Sequence, residues 1–427
     1  MASFRLKPYT LLLLLLSAPG AQAADSCAAV PAAFAPTCKE LQGDLDTFNA
    51  TLDSQWNGAK SPVAFAAELL AANDNRGLQV ILSPETMDGV LRDLEGMARI
   101  GVQAVTIAVG FPILDQRFYE FNNDPQDYPR VVNFYRGVMA ELRKRGLKVI
   151  IETSVMFPRE AQDLPLGNYY ATLSPADLIA GRARVAQTIA QQLQPDWMNL
   201  GSEPDTQSAL LRLRAKYTPE QYAAAMATIV NQLRKAGIHD KPLIGAGIGT
   251  WAPNAGEFVR ALAATNLDYI DFHIYSVNQG YLAAAPALID LAHKSGKGAA
   301  ISEAWLKKVS NSQLSGGGQY ATIRALSDPM TTAQNNYSFW APLDSQFVTE
   351  LVKLAHWKKL YYLSPFASQC FFAYVDYAQA GSMPTPQLRR QGVAVASAAL
   401  RAGTLSPTGQ AYAAAIKGTS PPPNPKR

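Results

Sequence analysis

The sequence predicts an α/β protein built as a single (β/α)8 barrel, the TIM-barrel fold. Three observations support this prediction. Between residues 77 and 417, eight short apolar runs alternate with longer segments of helical periodicity. The 427 residues, 48% of them hydrophobic, suffice for one barrel with insertions. An open doubly wound sheet would need a glycine-rich turn after its first strand, but the nearest candidate, Gly245–Gly249, comes late and reads as a barrel strand that needs small residues.

Each predicted strand is a short β-branched or apolar run bounded by turn residues. The eight strands are predicted at Leu78–Leu82, Ala104–Val109, Lys148–Thr153, Trp197–Gly201, Pro242–Gly247, Tyr269–Ile274, Gly298–Ser302 and Cys370–Val375. Two long insertions, 111–128 and 310–337, follow the second and seventh of these strands. They should lie at the C-terminal face of the barrel, where active sites of this fold are built.

The intervening segments carry apolar residues at helical spacing, with recognisable starts and stops. The clearest helices are predicted at Glu85–Ile100, Pro129–Arg145, Pro175–Leu193, Pro219–Ala236 and Glu257–Thr265. A hydroxyl residue followed by a first-turn proline predicts an N-cap at Ser83, Ser174 and Thr218, and glycines predict C-caps at Gly101, Gly146 and Gly237.

The chain begins with a pattern typical of secretory signal peptides. Arg5 and Lys7 precede the leucine run Leu11–Leu16, and Ala21-Gln22-Ala23 forms a small-x-small cleavage site. The run is too short to span a bilayer, and no later stretch is long and apolar enough to do so. The sequence therefore predicts a signal peptide at residues 1–23 and a secreted or periplasmic protein.

Composition predicts the character of both ends of the mature chain. Residues 24–76 are predicted to form an N-terminal segment packed on the barrel, and the proline-rich residues 418–427 a disordered tail. In an oxidising compartment Cys27 and Cys38 are expected to form a disulfide, while Cys370 reads as a buried thiol.

Charge and composition exclude several classes of protein. The chain has 38 basic and 34 acidic residues without a clustered basic face, which argues against binding nucleic acid. The few histidines and cysteines show no zinc-ligand spacing, so no metal site is expected. We also expect no organic cofactor and a monomeric protein.

Two predicted strands end in a glutamate. The fourth runs into Gly201-Ser202-Glu203-Pro204, and the seventh into Ser302-Glu303-Ala304-Trp305. Strands four and seven lie on roughly opposite sides of an eight-stranded barrel, so carboxylates at their tips can face each other across its mouth. Cleavage of a glycosidic bond with retention needs two carboxyl groups about 5–5.5 Å apart. The pair Glu203 and Glu303 therefore predicts glycosidase chemistry.

This arrangement resembles clan A of the glycoside hydrolases, the retaining 4/7 barrels. In that clan the acid/base glutamate ends strand four, usually as Asn-Glu-Pro, and the nucleophile ends strand seven. The resemblance implies that Glu203 is the acid/base and Glu303 the nucleophile of a double displacement on a β-linked poly- or oligosaccharide. Ser202 replaces the clan's asparagine, which binds the sugar 2-hydroxyl, and we expect its shorter side chain to bind substrate in that place.

The same resemblance suggests further substrate-binding residues. Tyr275 on strand six resembles the clan's tyrosine that hydrogen-bonds the nucleophile, and His273 resembles its subsite histidine; a satisfied core histidine is the competing interpretation. Burial near the charge of Glu303 should keep Glu203 protonated.

Aromatic residues near strand ends can stack on sugar faces. Trp305 is the strongest candidate, and Trp251 and Tyr374 are further ones. Glu152 and Asp205 are additional polar candidates, for which an ion pair behind the site is an equal explanation.

Two other functions fit parts of the pattern. A catalytically inactive, carbohydrate-binding barrel involved in polysaccharide assembly or export would keep the aromatic residues and would tolerate the change at Ser202. A barrel aldolase or isomerase would need a lysine or metal ligands at a strand end, and Lys307 and Lys308 lie beyond the tip of the seventh strand.

Overall fold

The computed structural model describes residues 25–74, 77–156, 166–210, 217–278, 280–313 and 334–418. The predicted signal peptide, most of the 418–427 tail and most of the 310–337 insertion lie outside these residues. Within the described ranges, no helix combines the length and the apolar character needed to cross a bilayer.

Eight parallel strands close into one barrel in sequence order, as predicted. The last strand pairs with the first, through Ala64–Tyr362 and Phe65–Leu363, so the sheet has no open edge. The strands are β1 (Ala64–Glu68), β2 (Ala104–Ala108), β3 (Lys148–Glu152), β4 (Trp197–Asn199), β5 (Leu243–Gly249), β6 (Tyr269–Tyr275), β7 (Gly298–Trp305) and β8 (Tyr362–Leu363). The six predicted strands from the second to the seventh are confirmed, with ends that differ by a few residues.

The predicted first strand was wrong. Residues Leu78–Ile81 form a short helix, with Leu78 and Ile81 buried and the two residues between them exposed. A short apolar run fits a helical turn as well as a strand, and periodicity alone does not separate the two. The real β1 reads Ala-Phe-Ala-Ala-Glu, and its alanines have low strand propensity. It lies inside the segment 24–76 that was expected to pack on the barrel from outside.

The predicted eighth strand was also wrong. The run Cys370–Val375 follows the barrel, and its first residues belong to the 3-10 turn Ser368–Phe371. The true β8 consists of Tyr362 and Leu363 only, which is too short to show a periodic pattern. This correction matters for the site, because Phe366 and not Tyr374 comes directly after the last strand.

Helices surround the barrel. They are α1 (Ala35–Gln55), α2 (Leu78–Ile81), α3 (Thr86–Ile100), α4 (Gln116–Phe121), α5 (Asp127–Lys144), α6 (Leu166–Thr172), α7 (Pro175–Thr188), α8 (Pro204–Leu210), α9 (Pro219–Lys235), α10 (Ala255–Ala263), α11 (Tyr281–Lys294), α12 (Ala341–Trp357), α13 (Tyr377–Ala380), α14 (Thr385–Ala402) and α15 (Pro407–Ile416).

The helix ends follow the predicted signals in most cases. Ser174 and Thr218 each complete a capping box, in which the hydroxyl accepts from the third backbone N–H of α7 or α9. Gly101 ends α3 in the left-handed conformation that glycine adopts without strain. Ser83 is not a cap, because α3 begins only at Thr86.

The barrel interior is filled by aromatic rings and needs small residues opposite them. Trp197, Tyr269 and Tyr362 pack together, with ring centroids 5.5 and 5.8 Å apart. A Cβ atom on Gly245 would lie 2.2 Å from the Tyr269 ring, and one on Gly247 would lie 1.9 Å from a backbone oxygen of β6. Strand β5 is therefore rich in glycine for packing, as predicted.

The N-terminal helix α1 buries an apolar face against α12 and α11. Leu41, Leu45, Phe48 and Leu52 form this face at helical spacing. The predicted disulfide between Cys27 and Cys38 is present and joins the segment before α1 to its first turn. Cys370 is a buried free thiol, also as predicted.

Candidate active site

The two predicted glutamates approach the same nitrogen of one imidazole at the mouth of the barrel. Nδ1 of His273 is 2.8 Å from Oε1 of Glu203 and 3.4 Å from Oε2 of Glu303. These two oxygens can therefore be no more than about 6 Å apart, which includes the ~5–5.5 Å of retaining enzymes. Both side chains remain partly exposed, at 17% and 22%, so a substrate can reach them.

A bulge in the barrel wall brings the end of β7 into this position. Phe272 pairs with Ile301, but the next residue, His273, pairs with Glu303, so Ser302 is an extra residue in β7. Consecutive strand residues normally point to opposite faces. Here Ser302 and Glu303 both reach His273, at Nε2 and Nδ1 respectively. The bulge thus aims two neighbouring side chains at one imidazole.

Tyr275 is placed as predicted. Its hydroxyl donates a 2.6 Å hydrogen bond to Oε2 of Glu303. Burial raises the pKa of Tyr275 well above its usual value, and the charge of Glu303 adds to the effect. The phenol therefore stays protonated and holds the Glu303 carboxylate by a charge-assisted hydrogen bond.

The expectation that Glu203 is protonated in the free protein was wrong. Burial alone would raise the pKa of Glu203, but the hydrogen bond and charge of His273 outweigh it and lower the pKa. Burial opposes the charge on His273, but the carboxylates of Glu303 and Glu203 raise its pKa well above the usual range. Glu203 is therefore a carboxylate and His273 an imidazolium, so the proton that the two groups could exchange lies on the imidazole.

A buried aspartate anchors the imidazole from below. Oδ2 of Asp271 accepts hydrogen bonds of 2.6 Å from Ser202, Ser302 and Asn199. Its Oδ1 accepts from the backbone N–H of Ser302. Ser302 in turn accepts from Nε2–H of the protonated His273 at 3.0 Å. The sequence offered little sign of this network, since Asp271 looks like any polar residue inside a strand.

Ser202 does not lie where its position in the sequence suggested. Its side chain is buried and its hydroxyl donates to Asp271, which is itself fully buried, so Ser202 is not available to bind a substrate as expected. Asn199, three residues earlier, also donates a hydrogen bond to Asp271.

The predicted aromatic platforms are largely packed inside the protein. Trp305 is 1% exposed, with its ring near Phe347 and Phe371, so neither face is open to a sugar. Tyr374 is committed elsewhere, since its hydroxyl donates a 2.9 Å hydrogen bond to Asp344 on α12.

Trp251 reaches the site only through another ring. It is buried, donates from Nε1 to Asp205 at 3.1 Å, and lies 5.7 Å from the ring of Tyr275. Phe366 was not considered because the eighth strand was predicted at the wrong place; it is half-buried, and its ring centroid lies 6.0 Å from that of Tyr275. Of the aromatic residues discussed, Phe366 is the best placed to meet a sugar.

Two more glutamates lie at strand ends beside the site. Glu68 ends β1 and Glu152 ends β3. Burial, followed by the charge of Glu303, raises the pKa of Glu68 to about 8 and that of Glu152 well above its usual value. Both are therefore protonated at neutral pH. The alanine-rich β1 was not recognised as a strand, so Glu68 was missed.

Among the described residues, one group of acidic and histidine side chains is close enough together to hold a metal ion. Ligand atoms of Glu152, His273 and Glu303 lie within 4.8 Å of one another. A protonated His273 has no free lone pair for a metal. The donor set therefore suits proton transfer better than metal binding.

The buried Glu68 should make stability depend on pH. Its carboxyl is protonated in the folded protein up to about pH 8, whereas the unfolded chain releases the proton near pH 4.5. The wild type thus loses stability as pH rises between these values, and Glu68→Gln, which cannot titrate at this position, should lack the part of the loss that Glu68 causes. We expect Glu68→Gln to raise the free energy of unfolding by on the order of 3 kcal/mol at pH 8 and little at pH 4.5, measured by urea denaturation.

Glu95→Gln provides a control for this measurement, since it makes the same chemical change at an exposed position on α3. An identical effect of Glu68→Gln at pH 4.5 and pH 8 would contradict the assignment.

Comparisons with known proteins agree with the barrel. No family model matches the chain, and a comparison with curated proteins found no match. Its fold resembles that of the exo-β-1,4-mannosidase Op5Man5 from Opitutaceae bacterium strain TAV5, at 15% identity and a TM-score of 0.53. That match covers 85% of this chain, which spans 60% of the length of the mannosidase.

A second similar structure is GH5_18 from Bifidobacterium longum subsp. longum ATCC 55813, at 17% identity and a TM-score of 0.51. That match covers 85% of this chain and 81% of the other. At these identities the comparisons establish a shared fold: this chain has the (β/α)8 barrel that those two proteins have.

Proposed function

We propose that this protein is an exported, retaining glycoside hydrolase that cleaves a β-linked poly- or oligosaccharide, with Glu303 as nucleophile and Glu203 as acid/base. The observation that carries the proposal is the placement of both carboxylates within reach of one nitrogen of His273 at the mouth of the barrel. The mannosidase activity named for one protein of the same fold supports it further.

In the first step Glu303, oriented by Tyr275, attacks the anomeric carbon and forms a glycosyl-enzyme. The leaving oxygen needs a proton, which passes from Nδ1 of His273 to Oε1 of Glu203 and from there to the leaving group. Conversion of Glu303 to an ester removes its negative charge, and with it one of the charges that held the proton on His273.

In the second step Glu203 is an unprotonated carboxylate beside a neutral His273, so it can accept a proton from water. The hydroxide attacks the anomeric carbon and releases Glu303. The proton taken up by Glu203 returns to His273, which restores the starting charges. Asp271 and Ser302 act through His273, since their hydrogen bonds hold its ring in place.

The decisive experiment is to incubate the purified protein with a panel of β-linked polysaccharides and follow the first product by NMR. We expect hydrolysis of at least one polymer, with an initial product of the same anomeric configuration as the cleaved bond. Inversion of configuration would contradict the double displacement.

A non-catalytic carbohydrate-binding barrel is the second candidate. The observation in its favour is Ser202, whose hydroxyl is committed to Asp271 and leaves no side chain to hold a sugar hydroxyl at that position. Tight binding of a polysaccharide without any release of reducing ends would favour this function.

Export and the monomeric state belong to the same proposal. The N-terminal basic and leucine-rich pattern supports export, and the Cys27–Cys38 disulfide is of a kind that persists in oxidising compartments.

A further inference from the structure

Two consecutive lysines beyond β7 have opposite surroundings. Lys308 is buried, and its ammonium forms an ion pair with Asp344 and donates to the backbone oxygen of Leu306 at 2.9 Å. Lys307 turns to the other side, toward the barrel mouth. Its Nζ lies 4.6 Å from the centroid of the Tyr275 ring and 5.5 Å from that of Phe366.

A hydrogen bond holds the backbone of Lys307 in place. Its backbone oxygen accepts a 2.7 Å hydrogen bond from the hydroxyl of Ser276, which fixes the base of the side chain. The ring beneath its ammonium belongs to Tyr275, whose hydroxyl binds the nucleophile Glu303. The ammonium therefore lies close to the reacting carboxylates and to the rings of Tyr275 and Phe366.

Lys307 has no partner of its own in the part of the chain that the structure describes, where its Nζ makes neither a hydrogen bond nor an ion pair. The neighbouring acids are otherwise engaged. Glu203 is bonded to His273, and Glu303 accepts from Tyr275. Glu68 accepts from Asn73, and burial keeps it protonated, with a pKa of about 8.

Holding a charged ammonium at this buried position costs free energy unless a ligand of opposite charge binds to it. Burial lowers the pKa of Lys307, although the charges of Glu303 and Glu203 oppose this. Aromatic faces stabilise the cation only in part. A carboxylate would return more free energy than a neutral hydroxyl, because charge-assisted hydrogen bonds are about twice as strong.

We propose that Lys307 binds the carboxylate of a uronic acid residue in the substrate, so that the protein prefers acidic polysaccharides. This inference rests on the proposed function for the location of the sugar. The flanking Tyr275 and Phe366 rings suit the C–H face of the same sugar ring. Lys307 is then a specificity-determining residue and takes no part in proton transfer.

The test uses oligosaccharide pairs that differ only at C6: β-1,4-glucan against its glucuronan counterpart, and β-1,4-mannan against mannuronan. Affinity is measured by calorimetry in the full chain carrying Glu303→Gln, with and without Lys307→Gln. We expect the acidic member of one pair to bind at least tenfold more tightly than the neutral one. Lys307→Gln should weaken acidic binding by about 10- to 100-fold and reduce the acidic-to-neutral ratio.

Two controls accompany this measurement. Lys307→Arg keeps the charge and should retain most of the preference. Lys294→Gln removes an exposed charge at the end of α11, at the opposite face of the barrel, and should leave the ratio unchanged. If Lys307→Gln does not fold, the salt dependence of wild-type binding decides, since only the acidic oligosaccharides should bind more weakly at high ionic strength.

The inference is overturned if the neutral member of each pair binds as tightly as the acidic one, or if Lys307→Gln weakens both members equally. Failure of the proposed function looks different, because hydrolysis is assayed separately with the wild type. Cleavage of neutral polymers alone would leave the hydrolase proposal standing and remove the role of Lys307. Binding of acidic oligosaccharides without cleavage would support the role of Lys307 and contradict the hydrolase proposal.

Discussion

Replacing Glu303 by glutamine should lower kcat/KM by about 10⁴-fold or more, because the amide cannot form the glycosyl-enzyme. Glu203→Gln should cost about 10²–10⁴-fold, since it removes the group that passes the proton to the leaving oxygen and later accepts one from water. Both losses should appear mainly in kcat. The measurement is steady-state hydrolysis of the best polymer of the panel, with circular dichroism to confirm the fold.

Small anions distinguish the two roles. Azide should restore turnover to Glu303→Gly by attacking in place of the carboxylate, and to Glu203→Ala by replacing the activated water. The two products should have opposite anomeric configurations, because one results from a single displacement and the other from two. Glu95→Gln, on the exposed face of α3, is the matched control and should retain wild-type activity. Normal hydrolysis by either active-site glutamine variant would refute the assignment.

Lys308→Met should destabilise the fold by about 3–5 kcal/mol at neutral pH, because it leaves the fully buried Asp344 without its counter-ion. Burial raises the pKa of Asp344, and Lys308 at present opposes this rise. Without the lysine, the carboxyl should be protonated over a wider pH range. Its burial then costs less at low pH, so the loss should be smaller at pH 5 than at pH 8.

Urea denaturation of three proteins checks this prediction. The double variant Lys308→Met with Asp344→Asn should recover part of the loss, because no charge is then left buried. Lys353→Met, which breaks the more exposed pair of Lys353 and Asp53 between α12 and α1, should cost about 1 kcal/mol or less. Equal effects of Lys308→Met and Lys353→Met on the free energy of unfolding would contradict the prediction that the buried pair contributes more to stability than the exposed one.

Much of the barrel could be predicted because strands and helices have local signals. Six strands and most helix ends follow from apolar runs, capping hydroxyls and terminal glycines. The first and last strands did not, for a physical reason. Alanine-rich β1 has little intrinsic strand propensity, and β8 is two residues long, so barrel closure and not local preference makes them strands.

In the candidate site, too, some residues could be predicted from the sequence and others could not. Glu203 and Glu303 could be found because each directly follows an apolar strand, and the ends of parallel strands meet at one face of a barrel. Tyr275 could be placed by its spacing on β6. The burial of Ser202 and Trp305 could not be predicted. It depends on contacts with Asp271, Phe347 and Phe371, which lie far away in the sequence.

The sequence alone therefore determined the barrel and the pair of carboxylates, because both depend on where strands end. Tertiary structure decided the charge on those carboxylates and the surroundings of the substrate. The bulge at Ser302 aims Glu303 at the imidazole of His273, and the contact of His273 with Glu203 lowers the pKa of that glutamate. The rings of Tyr275 and Phe366, from two different strand ends, form the place where Lys307 lies. Burial and pairing arise from contacts between distant segments, and no local pattern encodes them.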